Sequence, residues 1–137
     1  MANPLENLSG PGKALQAEPP DANEIDGLLR SGHARLKDAR NTALALESRF
    51  DLAYNAAHAL SLAALRRSGF RSGNRYIVFQ VLPHTLGLGP EVWRVLDKCH
   101  NLRNRGEYEG LLELDERLQA DLIAAAQAVA DALGQVG

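Results

Sequence analysis

A single cysteine, Cys99, occurs among the 137 residues. That excludes an internal disulfide framework and any zinc site built from several cysteines. Aromatic residues make up 5% of the chain, and Val, Ile and Thr occupy only 6, 3 and 2 positions. So few strand formers argue against a sheet protein. No apolar run approaches the roughly 18 residues of a membrane span. The opening MANPLENLSG has neither the basic nor the apolar stretch of a secretion signal. The expectation is a cytoplasmic chain with no membrane association. Neither GxGxxG nor a P-loop is present, and no serine sits in a nucleophile elbow. His33, His58, His84 and His100 show no paired ligand spacing, so neither a metal nor a cofactor is expected.

Helix formers are abundant, with 21 Ala and 23 Leu. At 14.8 kDa and 45% hydrophobic, the chain is sized for one domain with a real core. Residues 1–20 hold four of the six prolines and no apolar periodicity. They are expected to form a flexible arm, ordered only where something docks it, ahead of a bundle over 21–137. The spacing of apolar residues predicts a helix from Asn23 to Asn41, capped by Asp21 or Asn23. A second helix, Leu46 to Ser68, is apolar around most of its circumference and should be central. Another starts at Pro90 and reaches about Arg105, burying Val92, Leu96 and Cys99. The last runs from Leu111 to Leu133 and stops at Gly134. Arg75–Leu82, RYIVFQVL, has the one strand-like composition, but an isolated strand would have no partner there. A short helix ended by Pro83 is therefore expected. The fold class is all-α: an up-and-down bundle of four main helices plus one short helix.

Two features could carry chemistry. Asp51, Asn55 and His58 form a polar line at i, i+4 and i+7 on the otherwise apolar central helix. A lone histidine among alanines is usually a hydrogen-bonded core residue, with Asp51 and Asn55 as its partners here. Arg103 falls on the same wheel line as Val92, Leu96 and Cys99. A guanidinium on a core-facing stripe needs a partner. It is expected either to form an internal ion pair with Asp51 or Glu107, or to face a subunit interface or polar cleft. His100, Arg103 and Glu107 share one helical face at i, i+3 and i+7.

The block SRFDLAYNAAHALSLAALRRSGFR, followed by a helix ending in LRNRGEY, resembles the HEPN (higher eukaryotes and prokaryotes nucleotide-binding) superfamily over about residues 22–134. The resemblance implies a helical bundle, often a homodimer. Many members are metal-independent ribonucleases whose motif is an Arg, a polar residue and, after a short spacer, a His. Two such motifs meet across the dimer to form the RNA-cleaving cleft. Here Arg103 and Asn104 match, and Tyr108 stands where the His belongs. Histidine, with a pKa of about 6.5, serves as acid or base near neutrality. Tyrosine, at about 10, does not. The degenerate motif Arg103-Asn104-x-x-x-Tyr108 thus implies binding rather than cleavage.

Three functions follow as expectations. The first is an RNA- or nucleotide-binding HEPN-like domain, dimeric, with Arg103, Asn104 and Tyr108 lining a groove. Arg49 or Arg105 would add charge, and Asp51 would orient Arg103. The second is a non-catalytic interaction module, such as an antitoxin or the partner of a nucleotidyltransferase in a toxin–antitoxin or defence system. The third is a weak metal-independent ribonuclease using His58 or His100. The formal charge of −2 hides an asymmetry. Residues 30–75 carry nine basic and three acidic groups, whereas 1–29 and 109–137 are both acidic. A basic middle suits an anionic ligand. It equally suits acidic ends folded back onto it.

Overall fold

The computed structural model describes residues 3–109 and 114–136, and the side chains of all of these except 106–109 and 135–136. Seven helices and one two-stranded sheet occur among the described residues. In chain order they are α1 (Pro4–Asn7), β1 (Leu15–Ala17), α2 (Ala22–Ala39), α3 (Leu46–Arg67), β2 (Phe70–Ser72), α4 (Arg75–Gln80), α5 (Leu82–Thr85), α6 (Pro90–Glu109) and α7 (Glu116–Val136). The all-α bundle is what the composition implies.

The second helix is central, as its apolar circumference requires. α3 buries twelve residues, from Phe50 to Arg66, and packs against α2, α6 and α7. α2 runs antiparallel to it. Asp21 caps α2 by accepting from the backbone N–H groups of Asn23 (2.9 Å) and Glu24 (3.2 Å). α6 is also antiparallel to α3, pairing Arg103 with Asp51 at one end. α7 returns parallel to α3, since Glu116 meets Arg49 near their starts and Leu133 meets Arg67 near their ends. The main core gathers Leu36, Phe50, Tyr54, Leu60, Phe79, Leu96, Leu122 and Val129 from five helices.

Several boundaries depart from expectation. The strand-like segment is helical. Asn74 caps α4 by accepting from the Ile77 N–H at 2.9 Å, and Pro83 falls inside the following short helix α5. The strands lie elsewhere, at 15–17 and 70–72, paired antiparallel with Gln16 opposite Arg71. α6 continues through Gly106 to Glu109, and α7 continues through Gly134 to Val136. Glycine in a helix costs only about 1 kcal/mol, which flanking helix formers absorb. α7 begins at Glu116, where Asp115 accepts from the Leu118 N–H at 2.7 Å. Leu111, the expected start, lies outside the described residues.

Residues 3–20 are docked by the chain itself rather than free. Leu5 and Leu15 are buried in a second cluster with Leu65, Phe70, Val78 and Val81. Arg66, 1% exposed, locks the arm down. Its guanidinium donates to the carbonyls of Glu18 (3.1 Å), Phe70 (3.1 Å) and Pro19 (2.8 Å), and pairs with the carboxylates of Glu24 and Glu18. Arg71 closes the network on the same two carboxylates, at 2.6 Å each. A buried guanidinium is tolerated only when so fully satisfied.

Candidate nucleic-acid interface

Arg103 and Asp51 meet, as one of the two expectations for Arg103 required. Its Nε donates to Asp51 Oδ1 at 3.2 Å, and its side chain is 23% exposed. The guanidinium also lies over the ring of Tyr54, 5.0 Å from the centroid. Tyr54 is fully buried on α3. A second guanidinium, from Arg75 at the start of α4, lies 5.9 Å from the same centroid and donates to Asn55 Oδ1 at 3.1 Å. Two cations within about 6 Å of one ring are held by its quadrupole.

His100 stands beside them on α6. Its Nδ1 is 2.8 Å from the Tyr54 hydroxyl oxygen, and the Asn104 amide nitrogen is 3.1 Å from its Nε2. With Asn104 donating to Nε2, the proton belongs on Nδ1, which donates to Tyr54. Burial holds the His100 pKa below the usual histidine value; Arg75 and Arg103 push the same way, and Asp97 opposes them. The ring is stacked on Tyr54 at 6.1 Å and tilted against Tyr76 at 5.8 Å. Tyr76 is 41% exposed and is the large apolar side chain that the described residues leave open to solvent.

No family model, curated protein or solved structure matches the chain.

The remaining expected site residues divide into those that join this cluster and those that do not. His58 is half-buried against the edge of Phe79, 6.1 Å between centroids. Among the described residues neither Asp51 nor Asn55 hydrogen-bonds its ring. Asp51 is engaged with Arg103. Asn55 accepts from Arg75 and donates to the Asp51 carbonyl at 2.9 Å. Burial, reinforced by Arg75, lowers the His58 pKa to about 4. Asn104 joins through His100. Arg49 does not: its fork clasps Glu116 at 2.7 and 3.0 Å, tying the start of α7 to α3. Residues 49 and 51 stand about 200° apart on the helix, so only one of them can face α6. Arg105 lies on the outer side of α6 with Arg94 and Asn101. The side chains of Glu107 and Tyr108 lie outside the described residues.

Tyr54, Arg75, Tyr76 and Phe79 belong to the cluster although sequence reasoning missed them. Arg75 and Tyr76 lie in a segment whose composition speaks only to secondary structure, and Tyr54 belongs to the apolar circumference of the central helix. Arginine beside tyrosine just after a Gly-Asn turn was the available signal. Among the described residues no group of three or more His, Cys, Asp or Glu side chains could hold a metal ion, and no helix is long and apolar enough to cross a membrane. Cys99 is buried, and burial pushes its thiol up to about 12, so it is inert packing.

Chemically, the cluster offers two guanidiniums, a polarised imidazole, two amides and one open aromatic face. Phosphate oxygens suit the guanidiniums, and a nucleobase suits the tyrosine.

Proposed function

We propose that this chain is a HEPN-like domain that binds single-stranded RNA, or a nucleotide, through the cluster of Arg75, Tyr76, His100, Arg103 and Asn104. The carrying observation is the exposed face of Tyr76 against His100, with two guanidiniums gathered on the adjoining Tyr54. Unstacked bases are recognised by aromatic faces together with arginine. Homodimerisation, which would set two clusters near each other, and a cytoplasmic location belong to the same proposal.

Binding without cleavage is the better reading of the chemistry. RNA cleavage without a metal needs a base for the 2′-hydroxyl and an acid for the leaving oxygen. His100 of the cluster and the neighbouring His58 both favour the neutral form, so neither is a ready acid at neutral pH. The acidic ends do fold back: Glu18 and Glu24 cover Arg66 and Arg71, and Glu116 covers Arg49. Much of the basic charge is thereby spent internally, and the proposal stands on the local cluster rather than on the charge balance.

Fluorescence anisotropy with a labelled single-stranded RNA tests it. Stacking is worth about 1–3 kcal/mol per base. Tyr76→Ala should therefore weaken binding by roughly 5- to 150-fold. Arg103→Ala should weaken it as well, while Asp51→Ala, which breaks the same ion pair, should not. Unchanged affinity in Tyr76→Ala and Arg103→Ala removes the cluster assignment. No binding by the wild type leaves the protein-interaction module as the surviving function.

A further inference from the structure

The helix that carries His100, Arg103 and Asn104 has a second polar flank. At 100° per residue, the wheel of α6 passes from Asn104 to Asp97 and Asn101, then to Arg94, Arg105 and Lys98. Arg94, Lys98, Asn101 and Arg105 are all exposed. With Asp97 and Leu102 they border an open depression of about 370 Å³. From Arg94 to Arg105 the ridge extends roughly 16 Å along the helix axis.

The ridge is set apart by its place on the helix that carries the cluster. Arg30, Arg49, Arg66, Arg71 and Arg103 each meet a carboxylate of the chain. Among the described residues Arg94 and Lys98 meet none; Arg94 lies 5.7 Å from the centroid of the neighbouring Trp93 ring. The nearby carboxylates are Asp97, on the side toward the cluster, and Asp115 and Asp121, which share a depression with Lys98 on the side toward α7. The span from Arg94 to Arg103 of the cluster, roughly 14 Å along the helix axis, exceeds what one phosphate can engage. It matches a ligand whose negative charges repeat.

Resting on the function proposed above, we infer that the Arg94–Lys98 ridge is a phosphate track continuing the cluster, and that the ligand is a single-stranded RNA several nucleotides long rather than a mononucleotide. One base stacks on Tyr76 and its phosphate meets Arg75 and Arg103. The strand then crosses Asn104 and Asn101, whose amides are sequence-tolerant partners for sugar and phosphate, and its next phosphates reach Arg94 and Lys98.

Anisotropy titrations with a labelled dinucleotide and with an RNA of about 12 nucleotides, repeated across a salt series, test the track. The longer RNA should bind more tightly and with a steeper salt dependence. Arg94→Ala/Lys98→Ala should remove that advantage and flatten the log–log salt slope by about 0.7 for each charge removed. Dinucleotide affinity should not change. Both positions are exposed on a helix, and alanine favours helix, so folding is preserved; Arg94→Glu/Lys98→Glu should exaggerate the same effect. Equal binding of the two RNAs, or full retention of the longer one by both double variants, overturns the track. In that case loss of dinucleotide binding in Tyr76→Ala still upholds the cluster. Absence of binding by either RNA overturns both.

Discussion

Arg66 and Arg103 show how differently two arginines on apolar stripes can be resolved. Arg103 keeps a path to water, needs one carboxylate and lends its face to an aromatic ring. Arg66 has no such path, so three carbonyls and two carboxylates converge on it. Its network joins the arm, α2, α3 and β2. Arg66→Met keeps the apolar stem but strands the carbonyls of Glu18, Pro19 and Phe70 without their donor. Removing one partner of a buried ionic network costs several kcal/mol. Because Glu18 and Glu24 are partly exposed and retain Arg71, the expected loss is on the order of 3 kcal/mol. Urea unfolding measures it, and a change under about 0.5 kcal/mol would show the network to be ornamental. The signal in the sequence was faint. Arg66 sits among four arginines in ten residues, and helical spacing does not mark which one turns inward.

At the scale of elements, the contact between α2 and α3 is set by small residues. A Cβ added at Gly32 would lie 2.6 Å from Leu60 Cγ and 2.7 Å from its Cδ2, with the Ala56 carbonyl at 3.4 Å. Leu60 is fully buried and cannot swing away. Overpacking of this kind costs about 1–3 kcal/mol, against about 1 kcal/mol gained from alanine's helix propensity. Gly32→Ala is therefore expected to destabilise by up to about 2 kcal/mol, read as a lower thermal midpoint. Gly27→Ala on the same helix, where an added Cβ meets nothing, should stabilise or be neutral. Two other glycines explain why boundary rules misplace elements. Gly106 and Gly134 lie inside helices because the helix formers around them outweigh a modest intrinsic penalty. The strands were illegible for a related reason. Leu15–Ala17 and Phe70–Ser72 have no strand composition of their own, and each exists because the other completes its ladder.

Across the whole molecule, buried histidines and the acidic groups folded onto a basic middle together give stability a two-stage dependence on pH. His58 titrates at about 4 in the folded chain and near 6.5 when unfolded, and His100 is shifted in the same direction. Between these values the unfolded state binds more protons, so stability falls as pH drops from about 6.5. The carboxylates follow. Hydrogen bonds from Arg71 and then Arg66 hold Glu24 below its ordinary value, and Arg49 does the same for Glu116. Their contribution is complete above the unfolded pKa of about 4.3 and is lost as pH falls through the folded one. Urea midpoints should therefore decline from about pH 6.5 and decline further below about pH 4.3. His58→Gln should flatten the first stage alone. An NMR titration placing the His58 ring near its ordinary pKa would remove the cause assigned to that stage.

Composition and apolar spacing sufficed for the helical class and the central place of α3, narrowed the α2 cap to Asp21 or Asn23, and marked Arg103 as a side chain in need of a partner with Asp51 among the choices, because each follows from residues close in sequence or from a stripe that must find a partner. The docked arm, the inward arginine and the aromatic cluster depended on tertiary structure. Each arises where segments far apart in the chain meet, as when α4 brings Arg75 and Tyr76 against Tyr54 of α3 and His100 of α6. Local periodicity states which side of a helix is buried. What it is buried against is set by the packing of the whole chain.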